Sequence, residues 1–327
     1  MSESAARRLK SIPAVVFGSI LAVALLPILL AAALVVDLVR KVARRTPFMA
    51  TRLILFGTVY LLAETLGLAA AAWVWLTSWT ETARRRRTYG VQARWAKTLL
   101  GTVSTLFGLR FTVDGAGTVA PGPIFVLARH ASIVDNLLPA RYISPAGIRL
   151  RYVLKQELLA DPALDVVGNR LPNAFIDRES PSALQRIADL ARGIGPDDGV
   201  LIYPEGTRFS RAKLERSRKS LERRSPRLAE LAQGLRSVLP PHPGGVLPLL
   251  ESARADVIIL AHRGLEGFAR VKDIWRGAMV GKSIDVRMWR IPYDRIPTTR
   301  EERTEWLFRV WHEIDEWAND RGMALDH

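Results

Sequence analysis

From Ser11 to Val36 the chain runs 26 residues without a charged side chain, and from Leu53 to Thr80 it runs 28 with Glu64 as its single charge. Each run is long enough for a helix that crosses the roughly 30 Å hydrocarbon core of a bilayer, and such runs rarely stay in water. The sequence therefore predicts a short tail over 1–10 and a membrane hairpin over 11–80, with segments at about 11–36 and 53–80. The first segment exceeds the short apolar core of a cleaved signal peptide, so it is expected to be retained. Two forms stay open. One is a pair of full spans, the favoured form; the other is a loop that dips into one leaflet and returns, which Pro27 and Glu64 would suit.

The second segment ends in Trp73, Trp75 and Trp79 followed by Arg84 to Arg87, the order expected where a helix leaves the apolar layer through the interface. The chain of 327 residues carries a formal charge of +15, and residues 1–90 hold 12 basic against 4 acidic side chains, so half of the excess flanks the apolar runs. That placement points to anionic lipid head groups as partners rather than nucleic acid, for which no legible motif is present. With no cysteine, structural disulfides, thiolate metal sites and cysteine nucleophiles are excluded. An Ala- and Arg-rich composition suggests a GC-rich bacterial genome, hence the cytoplasmic membrane, with the rest of the chain facing the cytoplasm.

After residue 88 the pattern becomes that of a mixed globular domain. Trp95, Leu99, Val103, Leu106 and Phe107 recur at helical spacing, so 81–108 reads as a basic, amphipathic interfacial helix whose stripe faces core or lipid, with lipid favoured for part of it. Short β-type runs follow at Leu109–Val113, Ile124–Leu127, Tyr152–Leu154, Ala174–Ile176, Val200–Tyr203, Val257–Leu260 and Ile284–Trp289. Helical stretches alternate with them. Ser180-Pro181 is a helix start with Gly193 at its end, and the last helix runs over about 300–320. The fold class is α/β: a mixed sheet flanked by helices over 109–327, preceded by the two-helix hairpin.

Two polar clusters directly follow strong strands. The first is Arg129-His130-Ala131-Ser132-Ile133-Val134-Asp135, a His-x4-Asp arrangement. A carboxylate that accepts one imidazole N–H fixes the tautomer and leaves the other nitrogen free to take a proton from a hydroxyl. The second is Tyr203-Pro204-Glu205-Gly206-Thr207-Arg208. Its glycine allows close backbone approach and its arginine offers a fork for phosphate, but a strand-to-helix turn closed by a Glu205 to Arg208 ion pair fits the same residues.

In order, and with Phe175-Ile176-Asp177-Arg178 between them, these clusters resemble the glycerolipid acyltransferase family, that of the 1-acylglycerol-3-phosphate and lysophospholipid acyltransferases. Lys155-Gln156-Glu157-Leu158 is similar to the lysine-bearing segment of that family, Gly168 stands at a familiar distance before Phe175, and a proline-bearing fourth motif is placed within Pro243–Leu249. The stretch from Gly281 to Asp315 resembles a longer, eukaryote-like subgroup. Arg129 departs from the pattern, since the family usually has Asn there.

The resemblance implies direct attack of a lysophospholipid hydroxyl on an acyl thioester, with His130 as general base and Asp135 orienting it. It needs no enzyme nucleophile, no metal and no bound redox cofactor; the donor is acyl-CoA or acyl carrier protein. By position Arg178 and Arg208 contact the acceptor phosphate, with Lys155 as a further candidate or an ordinary surface lysine. Gly206 and Thr207 belong to the same binding segment, and Glu205 is expected to hold Arg208 or a substrate hydroxyl. The favoured acceptor is lysophosphatidic acid, giving phosphatidic acid; another head group of inositol, glycerol or cardiolipin type is the alternative, and a non-catalytic lipid-binding homologue is a remoter one. Residues 208–227 hold nine basic side chains, a solvated face or a surface for anionic lipid, coenzyme A phosphates or acyl carrier protein. His242, His262, His312 and His327 have no partner at useful spacing and are given no role.

Overall fold

The computed structural model describes residues 3–177, 180–266 and 271–320. Its first apolar run is not one helix. Helix α1 (Glu3–Ala24) stops at Leu25, and α2 (Leu26–Arg44) leaves at a bend of 68°. Pro27 sits in the first turn of α2; it has no N–H for the carbonyl four residues back and its ring crowds that carbonyl, so the first helix cannot continue straight through it. The hairpin predicted with segments 11–36 and 53–80 is therefore corrected to three helices, the third being α3 (Ala50–Thr77). Among the described residues α3 alone is long and apolar enough to cross a membrane, while α1 and α2 pass the same test only as a bent pair. Asp37, buried near the end of α2, caps α3: its Oδ1 accepts from Met49 N and Ala50 N at 2.9 Å, and its Oδ2 from Thr51 N at 2.8 Å.

Helix α4 (Glu81–Phe107) begins on a Thr80 cap, whose hydroxyl accepts from Ala83 N at 3.2 Å, and ends at Gly108 with φ of 66°. Its stripe of Leu99, Leu100, Val103 and Phe107 is buried, with Leu100, Val103 and Phe107 packed on the sheet. The lipid-facing role expected for that stripe is corrected: it covers the core.

Among the described residues seven strands follow, β1 (Arg110–Asp114), β2 (Ile124–Ala128), β3 (Arg149–Lys155), β4 (Ala174–Ile176), β5 (Asp198–Ile202), β6 (Asp256–Arg263) and β7 (Ser283–Ile291), each within a few residues of its predicted run. Between and after them come α5 (Leu138–Tyr142), α6 (Pro162–Gly168), α7 (Ala183–Leu190), α8 (Arg211–Arg224), α9 (Pro226–Leu231), α10 (Pro243–Ser252), α11 (Val271–Trp275) and α12 (Arg300–Asn319). The helix expected to open at Ser180-Pro181 opens three residues later, at Ala183. The sheet order is β1-β7-β6-β2-β5-β3-β4, and every neighbouring pair is parallel except β6 with β7.

Side chains alternate across this sheet with period two, so it sorts them into two cores. Phe125, Leu127, Val200, Ile202, Val257 and Ile259 pack on one face with Trp306, Trp311 and Ile314 of α12. Ile124, Val126, Leu201, Ile258 and Leu260 pack on the other with the stripe of α4. Because β6, β2, β5, β3 and β4 run in one direction, the segments that follow them gather at a single edge, where ligands of open α/β sheets bind.

Candidate functional site

Both polar clusters lie at that edge, on adjacent strands. His130 follows β2, and Tyr203–Arg208 follows β5, whose Ile202 is paired with Leu127. The polypeptide after β2 turns at once into a short turn of helix at Val134–Leu137, which carries Asp135 back toward His130. His130 Nδ1 stands 3.0 Å from Asp135 Oδ1. Asp135 Oδ2 accepts from Ala131 N and Ser132 N, each at 2.7 Å, so the carboxylate is fixed by backbone as well as by the imidazole. Ser132 Oγ accepts from Val134 N at 3.1 Å within the turn and is buried, which leaves it no access to a substrate.

The carboxylate of Asp135 is fully buried. Burial works against its ionisation, but the charge and hydrogen bond of His130, with smaller help from His262, outweigh it and hold the carboxyl well below the usual range. With the Nδ1 proton donated to Asp135, Nε2 carries the free lone pair. Among the described residues Nε2 has no partner, and the side chain is 15% exposed. The ring lies against Tyr203, centroids 4.5 Å apart and planes tilted by 34°, and the Tyr203 hydroxyl is 3.4 Å from the Asp135 carbonyl.

Glu205 behaves differently from its expected role. It is fully buried; Oε1 accepts from His130 N at 2.8 Å and Oε2 from Leu239 N at 2.9 Å. The expected contact of Glu205 with Arg208 or a substrate hydroxyl is thus replaced by a clamp joining three loops. Burial pushes the Glu205 carboxyl up to about 8, against the pull of those two N–H groups and of Arg129. Gly206, with φ of 68°, makes the tight turn in which its N–H meets the Tyr203 carbonyl at 2.9 Å, and Phe209 N donates to the His130 carbonyl at 2.7 Å. Thr207 Oγ1 and the Arg208 carbonyl accept from Lys213 Nζ at 2.8 and 2.9 Å. The half-buried Arg208 guanidinium has no side-chain partner among the described residues. Lys155 is exposed at the end of β3, 4.0 Å from Glu157. Arg178 lies outside the described residues.

Three things escaped the sequence reading. The proline segment tied to the site is not Pro243–Leu249, which forms α10, but the residues just before it: Leu239 N reaches Glu205 and His242 N donates to the Pro204 carbonyl at 2.9 Å. His262 has a partner after all. The register pairs Ala128 of β2 with Leu260 of β6, so two residues on His262 comes level with His130; its Nε2 is 3.2 Å from the Arg129 carbonyl and 3.4 Å from Asp135 Oδ2. Arg129, the departure from the family pattern, is wholly buried and donates to the His262 and Ser237 carbonyls and to Glu266, with 2.7 Å to Ser237. It props the loop beneath the site instead of facing the reaction.

The sheet edge thus presents a histidine fixed on a buried aspartate, with a half-buried arginine in the segment after the neighbouring strand that has no side-chain partner among the described residues. The acyltransferase family model matches residues 110–247. Over 153 residues the chain is 32% identical to 1-acyl-sn-glycerol-3-phosphate acyltransferase of Pseudomonas aeruginosa, covering 43% of this chain and 56% of that enzyme. Over 103 residues it is 32% identical to lysophosphatidylcholine acyltransferase of Drosophila melanogaster, covering 30% of this chain and 18% of the fly protein. The matched region thus spans about half of the first relative and a fifth of the second. The fold is shared with the lysophosphatidic acid acyltransferase PlsC of Thermotoga maritima, with a TM-score of 0.57 at 14% identity over 84% of this chain and 99% of that one. Residues 110–247 match the acyltransferase family.

Proposed function

We propose that this protein moves an acyl chain from acyl-CoA or acyl carrier protein to the free hydroxyl of a lysophospholipid, with lysophosphatidic acid as acceptor and phosphatidic acid as product. The observation that carries the reading is the open Nε2 of His130, whose Nδ1 is fixed 3.0 Å from the buried Asp135. Nε2 takes the acceptor proton as the hydroxyl oxygen attacks the thioester carbonyl, Asp135 steadies the resulting imidazolium, and the proton passes to the departing thiolate. Arg208, with Arg178 and Lys155, holds the acceptor phosphate and so aligns the hydroxyl. Neither metal nor redox cofactor enters this scheme.

The reading includes attachment to a membrane, and one surface supports it. Phe17, Ile20, Ile28, Val35, Val39, Val42, Leu66 and Trp73 of α1, α2 and α3 are all exposed, a concentration of apolar side chains on three successive helices that suits a lipid surface. The opposite side of α3 is tied to the α/β domain along its length. Arg52 Nε donates to the Leu106 carbonyl at 2.6 Å, the Tyr60 hydroxyl to Asp161 at 2.5 Å, Trp95 Nε1 to Glu64 at 3.0 Å and Arg170 to the Ala71 carbonyl at 2.5 Å. These ties along α3 support the re-entrant form of the hairpin, which in this reading lies in one leaflet of the cytoplasmic membrane with the domain on the cytoplasmic side.

The test is transfer of labelled oleoyl- or palmitoyl-CoA, then of acyl carrier protein donors, into a panel of lysophospholipids including the choline, glycerol and inositol forms, with His130→Ala as control. Transfer to lysophosphatidic acid, lost in a variant that stays folded, is expected. Preference for another head group changes the acceptor; silence with every donor removes the enzyme reading.

A further inference from the structure

Away from His130, the end of α3 and the first turns of α4 enclose, with the residues after α6, a cavity of about 380 Å³ lined by Trp75, Glu81, Arg84, Arg85, Asn169 and Arg170 among others. That volume suits a small polar head group. Its charge is lopsided: three guanidinium groups face one carboxylate. Glu81 is shared at long range, 3.4 Å from Arg84 and 3.7 Å from Arg85, which leaves most of the positive charge uncompensated. Arg84 Nε is buried with no acceptor among the described residues. Arg170 gives one hydrogen bond to the Ala71 carbonyl and meets no carboxylate among the described residues; burial, then Arg8 and Arg84, lower its pKa from the ordinary value, the mark of a cation among cations. The positive end of the α4 dipole adds to the same field.

The rim says which anion enters. Trp73, Trp75 and Leu76 are more than half exposed and Trp79 is 95% exposed, an indole and leucine collar at the polar margin of the apolar face described above. Indoles favour that depth in a bilayer, where lipid phosphates lie.

We propose that this cavity binds the phosphate of an anionic membrane phospholipid, held by Arg84, Arg85 and Arg170 while its acyl chains run along the Trp73–Leu76 end of α3. The site is separate from the acceptor site and sets how the catalytic edge is held over the membrane. This rests on the membrane attachment proposed above. Forked guanidinium groups match the tetrahedral oxygens of a phosphodiester, and such charge-assisted bonds strengthen in the low dielectric of the interface.

The experiment is flotation of the full-length protein with vesicles of phosphatidylcholine alone or with one fifth phosphatidylglycerol, at fixed salt. Three proteins are compared: wild type, the triple variant Arg84→Gln, Arg85→Gln, Arg170→Gln, and a control, Lys41→Gln, Arg44→Gln, Arg45→Gln, that removes the same charge from the end of α2. Wild type is expected to bind both vesicles and to prefer the anionic ones by at least about tenfold, and the triple variant to lose most of that preference while the control keeps it. Equal losses in triple variant and control would show a diffuse basic surface and overturn the site. Equal wild-type binding to both vesicles would overturn the site but leave membrane attachment standing, whereas binding to neither would remove attachment as well. Two further arms complete the test. Inorganic phosphate at millimolar concentration is expected to leave the preference intact, and its abolition would show a free-phosphate site. In detergent with lysophosphatidic acid, the triple variant is expected to keep the wild-type KM, and a raised KM would show that the cavity is part of the acceptor site.

Discussion

His262 Nε2 stands 3.4 Å from Asp135 Oδ2, the carboxylate oxygen that His130 does not use. Asp135 is therefore approached by an imidazole on each oxygen. The His262 ring is wholly buried, and its Nδ1 has no hydrogen-bond partner among the described residues. Its polar interactions are thus confined to Nε2, which reaches the Arg129 carbonyl at 3.2 Å and the carboxylate together. A side chain in that place holds Asp135 for His130.

His262→Asn is expected to lower kcat by about tenfold, the worth of one modest hydrogen bond, with the acceptor KM unchanged. His262→Gln, which can return an N–H nearer the Nε2 position, is expected to recover part of the loss. A purely structural histidine would instead show as lost melting temperature with normal kcat in the protein that remains folded, and steady-state kinetics beside calorimetry separates the two.

Asp135→Asn tests the other side of the same carboxylate. Its amide can still accept from one N–H, but it no longer stabilises an imidazolium, so kcat is expected to fall by about 100-fold or more. Because the Asp135 carboxyl sits well below the usual range in the folded protein, it stays ionised at ordinary assay pH. An acid-side fall in wild-type rate would thus not come from Asp135. A rate in Asp135→Asn equal to wild type would remove the aspartate from the mechanism.

Glu205 couples the site to pH in folding. Its carboxyl is pushed from 4.5 to about 8 by burial, so between those values the folded chain keeps a proton that the unfolded chain has released. Stability then falls as pH rises through that window. Melting temperature is expected to drop more steeply between pH 6 and 9 in wild type than in Glu205→Gln. The variant is also expected to lose about 1–3 kcal/mol at pH 6, since its amide nitrogen would face the N–H of His130 or Leu239. Parallel slopes for the two proteins would show that this carboxyl does not titrate there.

Much of this arrangement was legible because local pattern carries it. Seven apolar runs marked seven strands, and His-x4-Asp marked the pair that the short turn at Val134–Leu137 folds together, since contacts five residues apart are set by local geometry. What was not legible depends on the order of strands. That β6 lies beside β2 is what brings His262 to Asp135, 127 residues away in sequence, and nothing in the spacing of the histidines announces it. Glu205 misled for the same reason: its neighbour by sequence is Arg208, whereas its partners are the backbones of His130 and Leu239. In the apolar region, composition gave the existence of the helices but not the break at Leu25, although Pro27 was its visible cause. The stripe of α4 shows that amphipathicity alone does not tell a sheet from a lipid surface.

Arg208 offers the sharpest test of acceptor recognition. It follows β5 on the strand next to His130, is half-buried, and has no side-chain partner among the described residues, whereas neighbouring Thr207 is engaged by Lys213. A half-buried guanidinium left without a counter-ion among the described residues is placed for an incoming anion. Arg208→Ala is expected to raise the KM for lysophosphatidic acid by about 10- to 100-fold, the range set by one charge-assisted hydrogen bond, while the KM for the acyl donor stays within about twofold. Arg208→Lys is expected to fall between the two, because it keeps the charge and loses the fork. The discriminating measurement is the two-substrate kinetics: an effect on the donor KM alone would move Arg208 to the coenzyme A or carrier side of the site and leave the acceptor phosphate to the ends of β3 and β4.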